Sequence, residues 1–170
     1  DAKVSVGGGR YVMQAALAVD GRVDPSSLTD IIRALGKRHP ILRDAYRDGA
    51  ETLSAARLDH PATVANFQEA GENPDALTRS IAMDDATRIF DLERGDTWRL
   101  SVVAGSAETG IILTAHHIIS DAASLSLLLR DLVALLTGAE LAAASNVDYR
   151  AHAGARDRSI RAAEERQTAY

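Results

Sequence analysis

The sequence predicts an α+β fold, a helix-covered sheet with mixed or antiparallel pairing rather than a doubly wound parallel one. Three observations point there. The elements read in the order strand, helix, hairpin, helix, hairpin, helix, helix, without the regular alternation of parallel α/β folds. Two strongly apolar strand runs, 98–104 and 110–115, follow each other through a short loop and read as a hairpin. Leucine and isoleucine recur at helical spacing over 28–35 and again over 125–136.

The chain of 170 residues is one domain's worth of sequence, long enough to bury roughly two-thirds of its unfolded surface. It is 46% hydrophobic and 25% charged, a globular composition, and at 4% aromatic its core must be built from Leu, Ile, Val and Ala. The net charge of −5 argues against nucleic acid or an anionic membrane as main partner. With no cysteine, disulfides, thiol nucleophiles and cysteine-based zinc sites are excluded together. No apolar run is long enough to span a membrane, so the cytoplasm is the expected compartment.

In chain order, residues 1–10, with Gly7, Gly8 and Gly9, read as a flexible lead-in, since no strand precedes the glycines as phosphate binding would need. Residues 11–19 read as a strand closed by a turn at Asp20-Gly21. Asp24 can cap a helix with Pro25 at its first position, and Leu28, Ile31, Ile32 and Leu35 then share one face up to His39-Pro40. Residues 41–47 read as a strand entering a hairpin with 51–58 through Asp48-Gly49, whereas 59–66 fits loop or strand equally. Asn73-Pro74-Asp75 opens a second helix carrying Leu77, Ile81 and Ala82 inward, followed by a connector over 89–95. Beyond the second hairpin, Leu125, Leu128, Leu129, Leu132, Val133 and Leu136 form a wide apolar helix face, and Gly138 is placed to end it. The segment 148–170 reads as a more exposed helix.

The chemistry concentrates in Thr114-Ala115-His116-His117-Ile118-Ile119-Ser120-Asp121-Ala122-Ala123-Ser124, between the last strand and that helix. A metal site fits poorly, because adjacent strand residues point to opposite faces and the spacing differs from helical His-Glu-x-x-His. A Ser-His-Asp triad using Ser120 or Ser124 lacks the Gly-x-Ser-x-Gly elbow, and triad members usually come from separated segments. Two readings remain open. In one, the histidines are structural and Asp121 caps the helix. In the other, one imidazole faces a cleft as a proton-transfer group, to which its ordinary pKa of about 6.5 suits it, while its neighbour anchors the strand.

His116-His117-Ile118-Ile119-Ser120-Asp121-Ala122 resembles the His-His-x-x-x-Asp-Gly signature of nonribosomal peptide synthetase condensation domains, members of the chloramphenicol-acetyltransferase-like superfamily. Residues 38–46, Arg-His-Pro-Ile-Leu-Arg-Asp-Ala-Tyr, resemble that family's Arg-His-Glu-x-Leu-Arg-Thr-x-Phe segment. Residues 89–95, with Arg99 beyond, resemble its Pro-Phe-Asp-Leu-x-x-Gly connector, and Asp148-Tyr149 falls at its Tyr-x-Asp-Tyr-Ala-x-Trp segment. The four segments occur in the family's order.

The resemblance implies that 11–170 forms the N-terminal half of a domain whose active site lies between two similar halves. It implies peptide-bond formation between aminoacyl or peptidyl thioesters held on the phosphopantetheine arms of donor and acceptor carrier proteins, with no cofactor bound directly. The expected partners are the C-terminal half, those carriers and adjacent synthetase domains. Carried over by position, His117 is the cleft residue, His116 supports it, and Asp121 turns away to pair with Arg43. Ala122 replaces the signature glycine, Ala123 an aromatic or β-branched residue, Pro40 a glutamate and His152 a tryptophan. Ester formation, epimerisation and a non-catalytic carrier-docking role are the alternatives, and the half on its own is expected to be inactive.

Overall fold

The computed structural model describes residues 11–48 and 53–141. The expected lead-in over 1–10 and the expected helix over 148–170 lie outside these residues.

Strand β1, Val12–Asp20, pairs antiparallel with β6, Glu108–His116, which in turn pairs antiparallel with β5, Trp98–Ala104. The fourth strand, β4 (Asn66–Glu69), lies parallel to β5, giving a mixed sheet in the order β1-β6-β5-β4. The undecided stretch is thus loop up to Ala65, with its strand beginning at Asn66. Strands β2 (Asp44–Asp48) and β3 (Leu53–Arg57) form a separate antiparallel pair.

Helix α1, Leu28–Arg38, buries Leu28, Ile31, Ile32 and Leu35, the face its spacing predicts. Its entry is tighter than expected. Asp24 accepts a hydrogen bond from the Ser26 amide at 2.9 Å, and 25–27 form a 3₁₀ turn before the α-helix begins. The expected strand over 41–47 starts late, because Pro40–Arg43 is another 3₁₀ turn, closed by the Leu42 amide on the His39 carbonyl at 3.0 Å. Pro40 has a fixed φ and no amide hydrogen, which suits the first position of such a turn better than a strand interior. Helix α2, Asp75–Thr87, half-buries Leu77, Ile81 and Ala82, while its fully buried residue is a carboxylate, Asp85. Helix α3, Ala122–Thr137, ends on Gly138 at φ 69°, the left-handed cap that glycine adopts without steric cost.

Both faces of the sheet centre are covered, which explains why β5 and β6 read as nearly continuous apolar runs. Trp98, Leu100 and Val102 on β5 and Ile111, Leu113 and Ala115 on β6 join Leu35 of α1 and Leu125, Leu128 and Leu132 of α3 in one core. The alternate residues face α2. Gln14 of β1 donates to the Ala82 carbonyl at 2.9 Å and to Thr114 Oγ1 at 3.0 Å, and Arg99 reaches Asp85 at 3.4 Å. Gly110 lies so close beneath Thr78 that a Cβ there would meet its Oγ1 at 2.1 Å.

Candidate active site

The pleat of β6 separates the two histidines. His116 ends the strand on the α2 side, and His117 follows in a turn, exposed. The backbone fixes both. The His116 amide donates to the Thr97 carbonyl at 2.9 Å, and the His117 amide donates to the Tyr11 carbonyl at 2.8 Å.

The His116 ring sits between two aromatics. Tyr11 stacks on it at 6.3 Å, and Phe90 meets it edge-on at 5.7 Å. Arg99 places its Cζ 3.9 Å from the centroid of the Phe90 ring. Partial burial, with the adjacent His117 contributing, pushes the His116 pKa down. Its Nδ1 accepts the Ile118 amide at 3.0 Å, which holds the turn that carries His117 outward. In the neutral ring this bond places the proton on Nε2.

His117 lines a groove of about 330 Å³ together with His39, Ile41, Ser120, Asp121, Ser124, Leu127 and Leu128. His117 is thus exposed at the edge of a solvent-reachable groove. Among the described residues, no side chain hydrogen-bonds to its imidazole.

The expected Asp121–Arg43 pair is not formed. Asp121 is exposed and caps α3, its Oδ1 accepting the Ser124 amide at 2.7 Å. That bond, with further help from the Ser124 hydroxyl, holds its carboxyl below the usual range. Arg43 lines another depression, with its Nη1 near the Leu58 and Asp59 carbonyls at 3.4 and 3.3 Å. The physical reason is local: an aspartate preceding a helix finds its unpaired amides two and three residues ahead, nearer than any distant guanidinium. Ala122 stands at the first helical position, and Tyr11 is the one non-glycine residue with positive φ among those described. The replaced glycine thus leaves no backbone strain behind.

The buried acid of this region is Asp131, which the sequence reading passed over. Its Oδ2 accepts from Arg38 Nε and lies 2.9 Å from His39 Nε2, while Arg130 Nη2 reaches Oδ1 at 2.9 Å. Burial raises its pKa, but the hydrogen bonds from Arg38, His39 and Arg130 outweigh it and the net shift is downward. The cluster ties the end of α1 to the middle of α3 and holds His39 at the groove. A signal was available: Asp131 interrupts the buried leucine face of α3 between Leu128 and Leu132.

Comparisons with known proteins place the chain in a family. The condensation-domain family model matches residues 2–170. The chain belongs to the condensation-domain family. It is 29% identical over 132 residues to a plipastatin synthase of Bacillus subtilis, covering 77% of this chain and 3% of that protein. It is 32% identical over 138 residues to a phosphinothricin tripeptide synthetase of Streptomyces viridochromogenes, covering 76% of this chain and 12% of the relative. Among solved structures, the X-domain in complex with OxyB from teicoplanin biosynthesis superposes with a TM-score of 0.76 at 25% identity, over 93% of this chain and 35% of that one. The condensation domain that mediates chain release from the enacyloxin polyketide synthase gives a TM-score of 0.64 at 26% identity, over 79% and 28%. The chain thus spans only a small part of these synthetases and about a third of these domain structures. Among the described residues, no helix is long and apolar enough to cross a membrane, and no group of acids and histidines is arranged to hold a metal ion.

Proposed function

We propose that this condensation-domain chain is the N-terminal, histidine-bearing half of a domain that forms an amide bond between carrier-tethered thioesters. The observation that carries the reading is the exposed His117 imidazole in the groove beside the start of α3. An acceptor amine attacks the donor thioester carbonyl carbon, the new C–N bond forms, and the C–S bond breaks as the tetrahedral species collapses. The nitrogen loses a proton and the departing sulfur gains one. His117 holds the amine by hydrogen bonding or takes its proton, a role worth roughly 10²–10⁴ in rate for a positioned general base. His116 supports it through the Ile118 amide. Asp121 supports it by starting α3 immediately beyond the turn. The phosphopantetheine arms deliver both substrates, and the C-terminal half supplies the opposite wall.

The test is reconstitution of the chain with a condensation-domain C-terminal half and loaded donor and acceptor carriers, with the amide product followed by mass spectrometry. His117→Ala is expected to lose at least about a hundredfold in turnover. Wild-type turnover by that variant would overturn the reading. The chain alone is expected to give no product above the His117→Ala background.

The likeness to the X-domain captured with OxyB favours a second reading, a non-catalytic docking module. Carrier binding with no amide product from the reconstituted wild type would select it.

A further inference from the structure

The groove contains a second imidazole. We propose that His39 is a substrate-positioning residue, whose Nδ1 accepts a hydrogen bond from an N–H group of the ligand in the His117 groove. The inference rests on the proposed function only in taking that groove as the ligand site.

Three observations carry it. His39 and His117 line the same groove, although they lie far apart in sequence. His39 Nε2 lies 2.9 Å from Oδ2 of Asp131, which is nearly fully buried. A carboxylate can only accept, so Nε2 must carry the hydrogen, and in the neutral ring Nδ1 is left as the acceptor. Among the described residues, no group occupies that nitrogen.

The ring is also held in place. Arg38 and Arg130 both bind Asp131, so the carboxylate cannot swing away from His39, and α1 and α3 fix it from two sides. A histidine oriented through one nitrogen by a buried acid presents the other with little freedom left to lose on binding. This differs from His117, whose ring no described side chain orients. The groove thus pairs a fixed acceptor with an unrestrained imidazole, between the apolar side chains of Ile41, Leu127 and Leu128. An N–H group at the end of an apolar chain fits that lining. It could come from the amides of a pantetheine arm or from the amine of the acceptor.

The test is nitrogen-15 NMR of the histidine rings in the 170-residue chain, titrated separately with pantetheine, which has amides and no amine, and with alanine methyl ester, which has an amine and no amide. In the free chain, the neutral form of the His39 ring is expected as the Nε2–H tautomer. On titration its Nδ1 signal is expected to move, and the probe that moves it names the source of the N–H. His39→Gln keeps a donor for Asp131 and removes the Nδ1 acceptor. It is expected to melt close to wild type and to bind the effective probe roughly five- to tenfold more weakly. Unchanged affinity in His39→Gln, or an Nδ1–H tautomer in the free chain, would overturn the inference. A probe that moves His117 and leaves His39 still would overturn it while leaving the proposed function in place. If neither ring responds to either probe, both fall.

Discussion

Truncating Asp131 to alanine should destabilise the fold more than any other change near the groove. The Asp131 side chain is 2% exposed and its partner Arg38 12%, so removing the carboxylate takes a buried counter-charge from a guanidinium that is largely shielded from water. Breaking a buried pair in this way costs about 3–5 kcal/mol. Arg130, 55% exposed, returns to solvent freely, which places the expected loss at the lower end, about 3 kcal/mol. At about 2–4 °C per kcal/mol for a chain of this size, the melting temperature should fall by roughly 6–12 °C. Urea unfolding followed by fluorescence measures this directly, because Trp98 is the one tryptophan and is fully buried in the core. Arg38→Ala and the double variant complete a cycle, in which the paired residues should couple strongly. A loss below about 1 kcal/mol, the level of exposed pairs, or strict additivity of the two changes, would refute the assignment of this cluster as the tie between α1 and α3.

Three further outcomes are expected. Asp121→Ala should lower the unfolding midpoint far less than Asp131→Ala, since it removes an exposed cap; an equal loss would restore a buried role for Asp121. The pKa of His116 is lower folded than unfolded, so the unfolded chain takes up the proton first, and stability should be complete above about pH 6.5 and fall as the pH drops below it. In His116→Asn, whose side-chain oxygen can still accept the Ile118 amide, denaturation midpoints measured at about pH 7.5 and about pH 5.5, on either side of the ordinary histidine pKa, should differ less than in wild type. Gly110→Ala should cost about 1–3 kcal/mol by forcing α2 off β6, with partial recovery in Gly110→Ala/Thr78→Ala; an unchanged midpoint would show that α2 does not press on the sheet there.

What could be read from the chain itself was governed by local physics. The face formed by Leu28, Ile31, Ile32 and Leu35, the caps at Asp24 and Asp121, the stop at Gly138 and the second hairpin depend on residues a few positions apart. The separation of His116 from His117 followed from the alternation of a strand, and the family resemblance from the order of four short segments. Where that reading failed, a shorter-range preference prevailed: Pro40 turned the start of an expected strand into a 3₁₀ turn, and Asp121 took the amide beside it rather than Arg43. The parallel strand β4 depends on β5, more than thirty residues further along. The pairing of β1 with β6 joins residues about a hundred apart. Asp131 meets Arg38 and His39 from 93 and 92 residues away. In sequence it is one acid on a leucine-rich helix, and only burial among two arginines and a histidine makes it the anchor of the groove. A hydrogen bond or an ion pair acts over a few ångströms, and only the folded chain brings these groups within that reach.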